Sequence, residues 1–110
     1  MRKFFKLIVA LPAFITLFSC AGVMQSASVM EAYKKYDAEQ YEDTLLLIMR
    51  AENSKATTPY RQAELAFLKA QTHEKLGNIQ VAKTLYEYLV AEHGSTQYGY
   101  LSRAKVHDTL

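Results

Sequence analysis

Cysteine is almost absent from this sequence of 110 residues: Cys20 is the only one. A single cysteine excludes an internal disulfide. Glycine is also scarce, and the four glycines, at positions 22, 77, 94 and 99, are isolated from one another. This spacing excludes a glycine-rich loop of the kind that cradles phosphate groups in nucleotide-binding proteins.

Histidine is scarce too, and no catalytic or metal-binding pattern is evident. His73, His93 and His107 are too far apart for a metal-ligand signature. No serine has a plausible base nearby in sequence, and the acidic residues at 39–43 suit the start of a helix, where negative charge is stabilising. We therefore expect no metal, no cofactor and no enzymatic activity.

The longest apolar run is too short to cross a bilayer comfortably. It is LIVALPAFITLF, the 12 residues 7–18, whereas a spanning helix needs about 20. Arg2, Lys3 and Lys6 precede the run. A basic start followed by a short apolar core is the layout of a secretory signal peptide. Residues 1–19 are therefore expected to form such a peptide.

The end of this segment carries a more specific pattern. Leu17, Ser19 and Cys20 resemble the lipobox of bacterial lipoproteins, with leucine at position −3, a small residue at −1 and the cysteine at +1. The resemblance implies that the Cys20 thiol takes a diacylglycerol, that the chain is cut before it, and that the new amino terminus is acylated. Two alternatives are an ordinary signal peptide with an incidental cysteine, and an uncleaved signal anchor.

The lipoprotein resemblance also implies a location. Ala21 stands at position +2, where aspartate retains enteric-type lipoproteins in the inner membrane, so we expect an anchor at the periplasmic face of the outer membrane. Three acyl chains hold a protein far more firmly than one. Partnership with the membrane is thus expected through the lipid anchor.

The charge balance of the mature chain differs from that of the whole sequence. Without residues 1–19 the chain has 91 residues, with 10 basic and 11 acidic side chains in place of the 13 and 11 of the full sequence. No basic stripe remains, so we expect no nucleic-acid partner. A chain of this length predicts one small domain with a modest core.

The mature chain has a helical pattern and no convincing strand. We expect residues 20–27 to be a lipidated tether and residues 28–110 to be a helical domain. Ser28 begins a capping box with Glu31, and a second helix is expected from about Glu39 to Glu52, with Tyr41, Thr44, Leu45 and Ile48 on its apolar face. Thr58 and Pro59 are typical of a helix start.

The second half of the chain continues the helical pattern. The third helix is expected over Pro59–Leu76, ended by Gly77 in a left-handed conformation. Asn78 is expected to cap a fourth helix to about Glu92, with an apolar face formed by Val81, Ala82, Leu85, Tyr86 and Leu89. Gly94 should end this helix, and a fifth should begin at Ser95 or Thr96 and fray towards Leu110.

Residues 63–96 resemble a tetratricopeptide repeat, which spans about 34 residues as two antiparallel helices. Ala70 stands at the small position of the first helix, Gly77 at the turn, Ala82 at the small position of the second helix and Tyr86 at its aromatic position. Residues 25–58 match at fewer positions. The resemblance implies an all-α fold of antiparallel helical hairpins, with about two such repeats and a C-terminal capping helix.

Anchor and repeat together predict a non-enzymatic scaffold that binds a protein of the cell envelope. The chain is similar in plan to outer-membrane assembly lipoproteins, such as the D subunit of the β-barrel assembly machinery and the pilotins of pilus assembly. In such folds the first helix of each repeat lines the concave face. The candidate partner-binding residues are Lys35, Tyr36, Arg61, Glu64, Phe67, Lys69 and Gln71.

Two other functions fit the sequence. One is a ligand-binding or inhibitory envelope lipoprotein, which requires a deep pocket with buried polar groups. The other is a structural homo-oligomer, because each repeat buries its apolar face only against a neighbour and about three repeats are normally needed for stability. Self-association or a bound partner is therefore expected to stabilise this short array.

Overall fold

The computed structural model describes residues 22–108. The expected signal peptide at 1–19, Cys20 and Ala21 lie outside the described residues. Within 22–108 there are five helices and no strand, which confirms the all-α prediction. The helices are α1 (residues 22–37), α2 (Tyr41–Glu52), α3 (Pro59–Lys75), α4 (Ile79–Glu92) and α5 (Gln97–Asp108).

The first helix begins earlier than the sequence pattern predicts. Residues 22–27 are helical, and Ser28 lies inside α1. The capping box expected at Ser28 is therefore wrong, and residues 22–27 of the expected tether are helical. Gln25 gives the physical reason, because its side chain is buried and its Nε2 donates to the carbonyl oxygen of Ala51 at 3.2 Å and to Oγ1 of Thr57 at 2.7 Å. These bonds fix the first turns of α1 to the rest of the domain.

The same type of turn ends α1 and α3. Glu39 and Gly77 both have a positive φ, of 60° and 82°. After each of them, the next amide reaches back to a carbonyl five residues earlier, from Gln40 to Lys35 and from Asn78 to His73, each at 2.8 Å. This is the Schellman arrangement, which satisfies the last carbonyl groups of a helix. Gly77 therefore has the predicted left-handed role.

Helix starts follow the predicted positions with one difference in mechanism. Oγ1 of Thr58 accepts a hydrogen bond from the amide of Arg61 at 3.1 Å, as expected for a cap before Pro59. Asn78 stands at the N-cap of α4, but its side chain makes no capping bond. Its Nδ2 lies instead 3.2 Å from Nδ1 of His73. The side chain of Asn78 thus ties the start of α4 to the end of α3.

The core consists of two clusters that share α3. In the first, Leu65 and Leu68 of α3 pack with Val29, Ala32, Ile48 and Ala51 of α1 and α2. In the second, three alanines of α3 pack with α4, and α5 adds Tyr98 and Val106. Large residues thus point from α3 towards the first hairpin, and small residues let α4 approach closely.

The predicted packing residues are at the centre of these clusters. Ala70, Ala82 and Tyr86 are fully buried. The positions 38 residues before Ala82 and Tyr86 are Thr44 and Ile48, which are also fully buried. Thr44 occupies a small-residue position because its hydroxyl donates to the carbonyl oxygen of Gln40 at 2.9 Å. Positions 38 residues apart in α2 and α4 are therefore buried alike, with different side chains.

One residue expected on the apolar face of α4 lies outside the core. Val81 is exposed, whereas Ala82 and Leu89 are fully buried and Leu85 is half-buried. The buried stripe of α4 faces α3 and α5. Val81 precedes Ala82 by one position and therefore lies about 100° around the helix from that stripe. The expectation for Val81 is therefore wrong.

The start of α5 is fixed by a close approach to the end of α4. Oγ1 of Thr96 accepts a hydrogen bond from the amide of Gly99 at 3.1 Å, so Thr96 acts as the predicted cap. Gly99 is buried, and a Cβ there would collide with the carbonyl oxygen of His93 and lie 2.7 Å from the Cα of Gly94. Only glycine allows α5 to fold back at this distance.

The five helices form two rows. Direct side-chain contacts join α1 to α3 and α3 to α5 along one row. The other row consists of α2, which packs on α1 and α3, and α4, which packs on α3 and α5. The row of α1, α3 and α5 carries the side chains described next.

Candidate functional site

An aromatic surface runs across α1, α3 and α5. We define it by five side chains, which are Tyr33, Tyr36, Tyr60, Phe67 and Tyr98. Tyr33 and Tyr60 are exposed, Tyr60 to 52%, and the other three are half-buried. Tyr33 and Tyr36 are three positions apart in α1 and therefore lie on the same side of that helix. Tyr60 and Phe67 are seven positions apart in α3 and likewise share one side.

A polar group joins α1 to α3 at one end of this surface. The Tyr33 hydroxyl donates to Oε1 of Glu64 at 3.0 Å. The other oxygen of Glu64, Oε2, lies 2.8 Å from Nη1 of Arg61, one turn earlier in α3. Both charged side chains are largely covered, so the pair is held in one geometry. The result is a locally neutral surface with a fixed guanidinium.

A cluster of rings joins α3 to α5. The rings of Tyr60 and Tyr98 have centroids 5.5 Å apart, and Phe67 also lies 5.5 Å from Tyr98. Nε2 of Gln97 donates to the Tyr60 hydroxyl at 3.0 Å. Edge and tilted contacts of this type stabilise ring pairs by about 0.5–1.5 kcal/mol beyond burial. The three rings are therefore held in a fixed arrangement while Tyr60 stays open to solvent.

A second polar group lies between α3, α4 and α5. The Tyr86 hydroxyl donates to Oε1 of Glu74, and Nζ of Lys105 lies 3.3 Å from the same oxygen. The Lys105 ammonium also lies 5.9 Å from the centre of the Tyr86 ring. These contacts dock α5 on the second hairpin, so they are structural.

Three tyrosines of this surface, Tyr33, Tyr36 and Tyr98, have a raised pKa. Burial and the nearby Glu64 carboxylate raise the pKa of Tyr33 above its ordinary value. Burial, with the hydrogen bond to Tyr60, raises the pKa of Tyr98 to about 12. Burial and the neighbouring Tyr41 also raise the pKa of Tyr36. These three residues therefore present uncharged rings with hydroxyl groups at neutral pH.

The structure brings most of the predicted partner-binding residues together. Tyr36 and Phe67 belong to the aromatic surface, and Arg61 and Glu64 form its polar end. Gln71 is half-buried one turn after Phe67 on the same side of α3. These five residues lie on α1 and α3, the first helices of the two hairpins.

Two predicted residues lie elsewhere. Nζ of Lys69 lies 3.3 Å from Oε1 of Glu52 in α2, on the opposite side of α3. Lys35 lines a shallow depression between α1 and α2 with Asp43 and Arg50. The expectation that all seven candidates share one surface is therefore wrong for these two, because a helix exposes more than one face.

The seven partner-binding candidates leave out three members of the surface and one supporting residue. They are Tyr33, Tyr60, Tyr98 and Gln97. Tyr33 precedes Tyr36 by three positions and Tyr60 precedes Glu64 by four, so each falls on a helix face with a residue already selected. A search for tyrosines at this spacing on the first, third and fifth helices finds Tyr33 and Tyr60. The contact of Tyr98 with Phe67 depends on how α5 folds back.

A cleft of about 530 Å³ lies on the other side of α3. Its floor includes Leu65, Ala66 and Leu85, and Glu52 and Lys69 are paired at its edge. The buried polar side chains of residues 22–108 are Gln25, Thr44, Thr72 and Ser102, and none of them lines this cleft. Each bonds to another protein group. The cleft therefore has no buried polar group available to orient a small ligand.

Residues 22–108 contain neither a cluster of metal-ligating side chains nor a membrane-spanning helix. Between residues 22 and 108, no three histidine, cysteine, aspartate or glutamate side chains are grouped so as to hold a metal ion. In the same part of the chain, none of the helices has the length and apolar character needed to traverse a bilayer.

No family model, curated protein or solved structure matches the chain. The resemblances to bacterial lipoproteins and to tetratricopeptide repeats therefore stay predictions. The geometry of the described residues is what bears on function, and the aromatic surface is its most distinctive feature.

Proposed function

We propose that this chain is a non-enzymatic adaptor, lipid-anchored through Cys20 at the periplasmic face of the outer membrane, that binds an envelope protein through the aromatic surface. The observation that carries the proposal is the open row of rings on α1, α3 and α5, in which Tyr33 and Tyr60 are exposed. Tyrosine and arginine are enriched in protein–protein interfaces and at their energetic centres.

The fixed geometry of the surface favours binding. Tyr33, Arg61 and Glu64 are held by mutual hydrogen bonds, and Tyr60 is held by Gln97. Side chains that are already ordered lose less conformational entropy when a partner binds. The paired charges also leave little net charge on the surface, which suits a partner with an apolar, uncharged contact region.

The test compares two charge reversals on α3. Arg61→Glu changes the polar end of the aromatic surface, whereas Lys69→Glu changes the opposite side of α3. Each substitution breaks one ion pair, so the two variants are matched. Lipidated protein would be used as bait on detergent-solubilised envelopes, with a Cys20→Ala version as a control for the anchor. Thermal unfolding followed by circular dichroism would show that both variants remain folded.

We expect Arg61→Glu to lose a captured envelope protein and Lys69→Glu to retain it. Equal capture by both folded variants would reject the aromatic surface as the binding site. Recovery of the bait alone would favour the structural homo-oligomer. A Cys20→Ala version that fractionates with membranes as the parent does would reject the lipid anchor.

A further inference from the structure

The first two and a half turns of α1 expose an apolar face. Val23, Ala27 and Met30 follow one another at positions i, i+4 and i+7, and so lie on one side of the helix. Val23 and Met30 are each 63% exposed, and Ala27 is exposed as well. No described helix packs over these three side chains, so they are open on the surface of the folded domain.

The same part of α1 is rigidly joined to the domain. Gln25, between Val23 and Ala27, is buried and bonds to Ala51 and Thr57. Val29 and Ala32 on the next turns belong to the core. The apolar face therefore has a fixed orientation relative to the rest of the molecule.

The position of this face in the chain points to its occupant. Only Ala21 separates Cys20 from the first described residue of α1. Two residues of chain extend at most about 7 Å, and Met30 lies about 12 Å along the helix from Gly22. An acyl group on Cys20 would thus hold the apolar face within reach of the lipid surface, with no room for a flexible spacer.

The charges beside the apolar face fit a lipid surface. Met24 lines a shallow depression with Arg50 and Lys55. Among the residues that the structure describes, neither of these cations is in an ion pair. Anionic headgroups attract basic side chains that lie near the lipid surface, and these two cations lie on α2 and on the loop after it, next to the first turns of α1.

We propose that the face formed by Val23, Ala27 and Met30 lies in the lipid interface beside the anchor, so that the domain is held against the membrane in one orientation. This inference rests on the proposed lipid anchor at Cys20. The occupant is the bilayer surface, and the face ends where Glu31 and Lys34 pair at 3.3 Å on the next turn. Only the first two and a half turns of α1 would therefore enter the interface.

The absence of tryptophan makes a direct test available. A single tryptophan introduced as Met30→Trp would report on the apolar face, and Tyr100→Trp would report on an exposed position in α5 at the other end of the domain. The full, lipidated chain would be reconstituted into vesicles of phosphatidylethanolamine and phosphatidylglycerol, with ordinary or brominated acyl chains. Bromine quenches tryptophan emission only where the ring reaches the acyl region.

We expect the tryptophan emission of the Met30→Trp variant to lie further to the blue than that of the Tyr100→Trp variant, and to be weaker in brominated than in ordinary vesicles. The emission of the Tyr100→Trp variant should be the same in both vesicle types. Equal emission of Met30→Trp in the two vesicle types would overturn the inference. A blue shift without bromine quenching would also overturn it, and would show that a second copy of the chain covers the face. Val23→Trp gives a second variant if Met30→Trp does not fold.

Mass measurement of the purified protein separates this inference from the proposal on which it rests. A chain without acyl groups would overturn the anchor, and the inference with it. An acylated chain whose Met30→Trp variant is unquenched would overturn the membrane-facing orientation alone and leave the anchor in place.

Discussion

At the scale of single residues, backbone contacts decide which side chains are tolerated. Gly99 lies where the first turn of α5 meets the end of α4, and a Cβ there would meet backbone atoms of His93 and Gly94. Backbone cannot move aside as a flexible side chain can. The crossing of α4 and α5, which positions Tyr98 in the aromatic surface, therefore depends on this glycine.

We expect Gly99→Ala to lower the free energy of unfolding by about 1–3 kcal/mol, the usual cost of forcing extra volume into a packed site. Chemical denaturation followed by circular dichroism measures this change. Gly22→Ala is the control, because nothing lies within 4 Å of a Cβ at that position. A Gly99→Ala protein as stable as the parent would show that the helix crossing is looser than described.

His73 makes stability depend on pH. Burial, with a contribution from the Lys69 cation, lowers the pKa of His73 below its ordinary value. In the unfolded chain this pKa is about 6.5, so between the lowered value and about 6.5 the unfolded chain binds more protons than the folded one. The free energy of unfolding therefore rises with pH through this window. The contribution of His73 to stability is lost as the pH falls through the same window.

The measurement is the unfolding midpoint at pH 7.5 and at pH 5.5, for the parent and for His73→Gln. Glutamine keeps a polar partner for Asn78 but does not titrate. We expect the parent to lose more stability on acidification than the variant does. An equal loss would mean that His73 has no part in the pH dependence.

At the scale of helices and turns, the sequence predicted α2 to α5 within one or two residues. Thr58–Pro59 and Gly77 are local signals, and local hydrogen bonds suffice to place them. The predicted start of α1 was wrong because the contacts that hold its first turns are not local. Gln25 bonds to residues 26 and 32 positions away. A capping pattern at Ser28 cannot reveal that the preceding turns are held by a distant part of the chain.

The aromatic surface was predictable to a similar extent. Tyr36, Arg61, Glu64 and Phe67 were found because they lie on the first helix of each hairpin. Lys35 and Lys69 were misplaced because the sequence alone does not give the rotation of each helix relative to its neighbours. Tyr98 needed the fold-back at Gly99, a contact between backbone segments that no side-chain pattern encodes.

The turn between α1 and α2 offers a stabilising substitution. Glu39 has a φ of 60°, a left-handed conformation that costs a residue with a Cβ about 1 kcal/mol. We expect Glu39→Gly to raise the free energy of unfolding by up to about 1 kcal/mol, measured by chemical denaturation. Gly77→Ala, at the matching turn with a φ of 82°, should lower it by a similar amount. Changes of the same sign for the two variants would contradict the shared turn geometry.

At the scale of the whole molecule, α3 couples the two core clusters. Leu68 belongs to the first cluster and Leu89 to the second, and both clusters include residues of α3. A loss of packing in either cluster should therefore weaken the same central helix. Small domains with one connected core usually unfold in a single transition.

We expect Leu68→Ala and Leu89→Ala each to cost about 2–5 kcal/mol and to keep one cooperative transition. Circular dichroism and tyrosine fluorescence, recorded over the same denaturant series, should give coincident curves for both variants. Two separated transitions in either variant would mean that the hairpins are independent units.

The measurement that tests the central claim most directly is site-specific photo-cross-linking in living cells. A photoreactive phenylalanine analogue would replace Tyr60 in the aromatic surface or, as the matched control, Tyr100, which is 71% exposed on α5 away from that surface. We predict a cross-link to one envelope protein from position 60 and none from position 100. The same product from both positions, or from neither, would contradict an adaptor that binds through its aromatic surface.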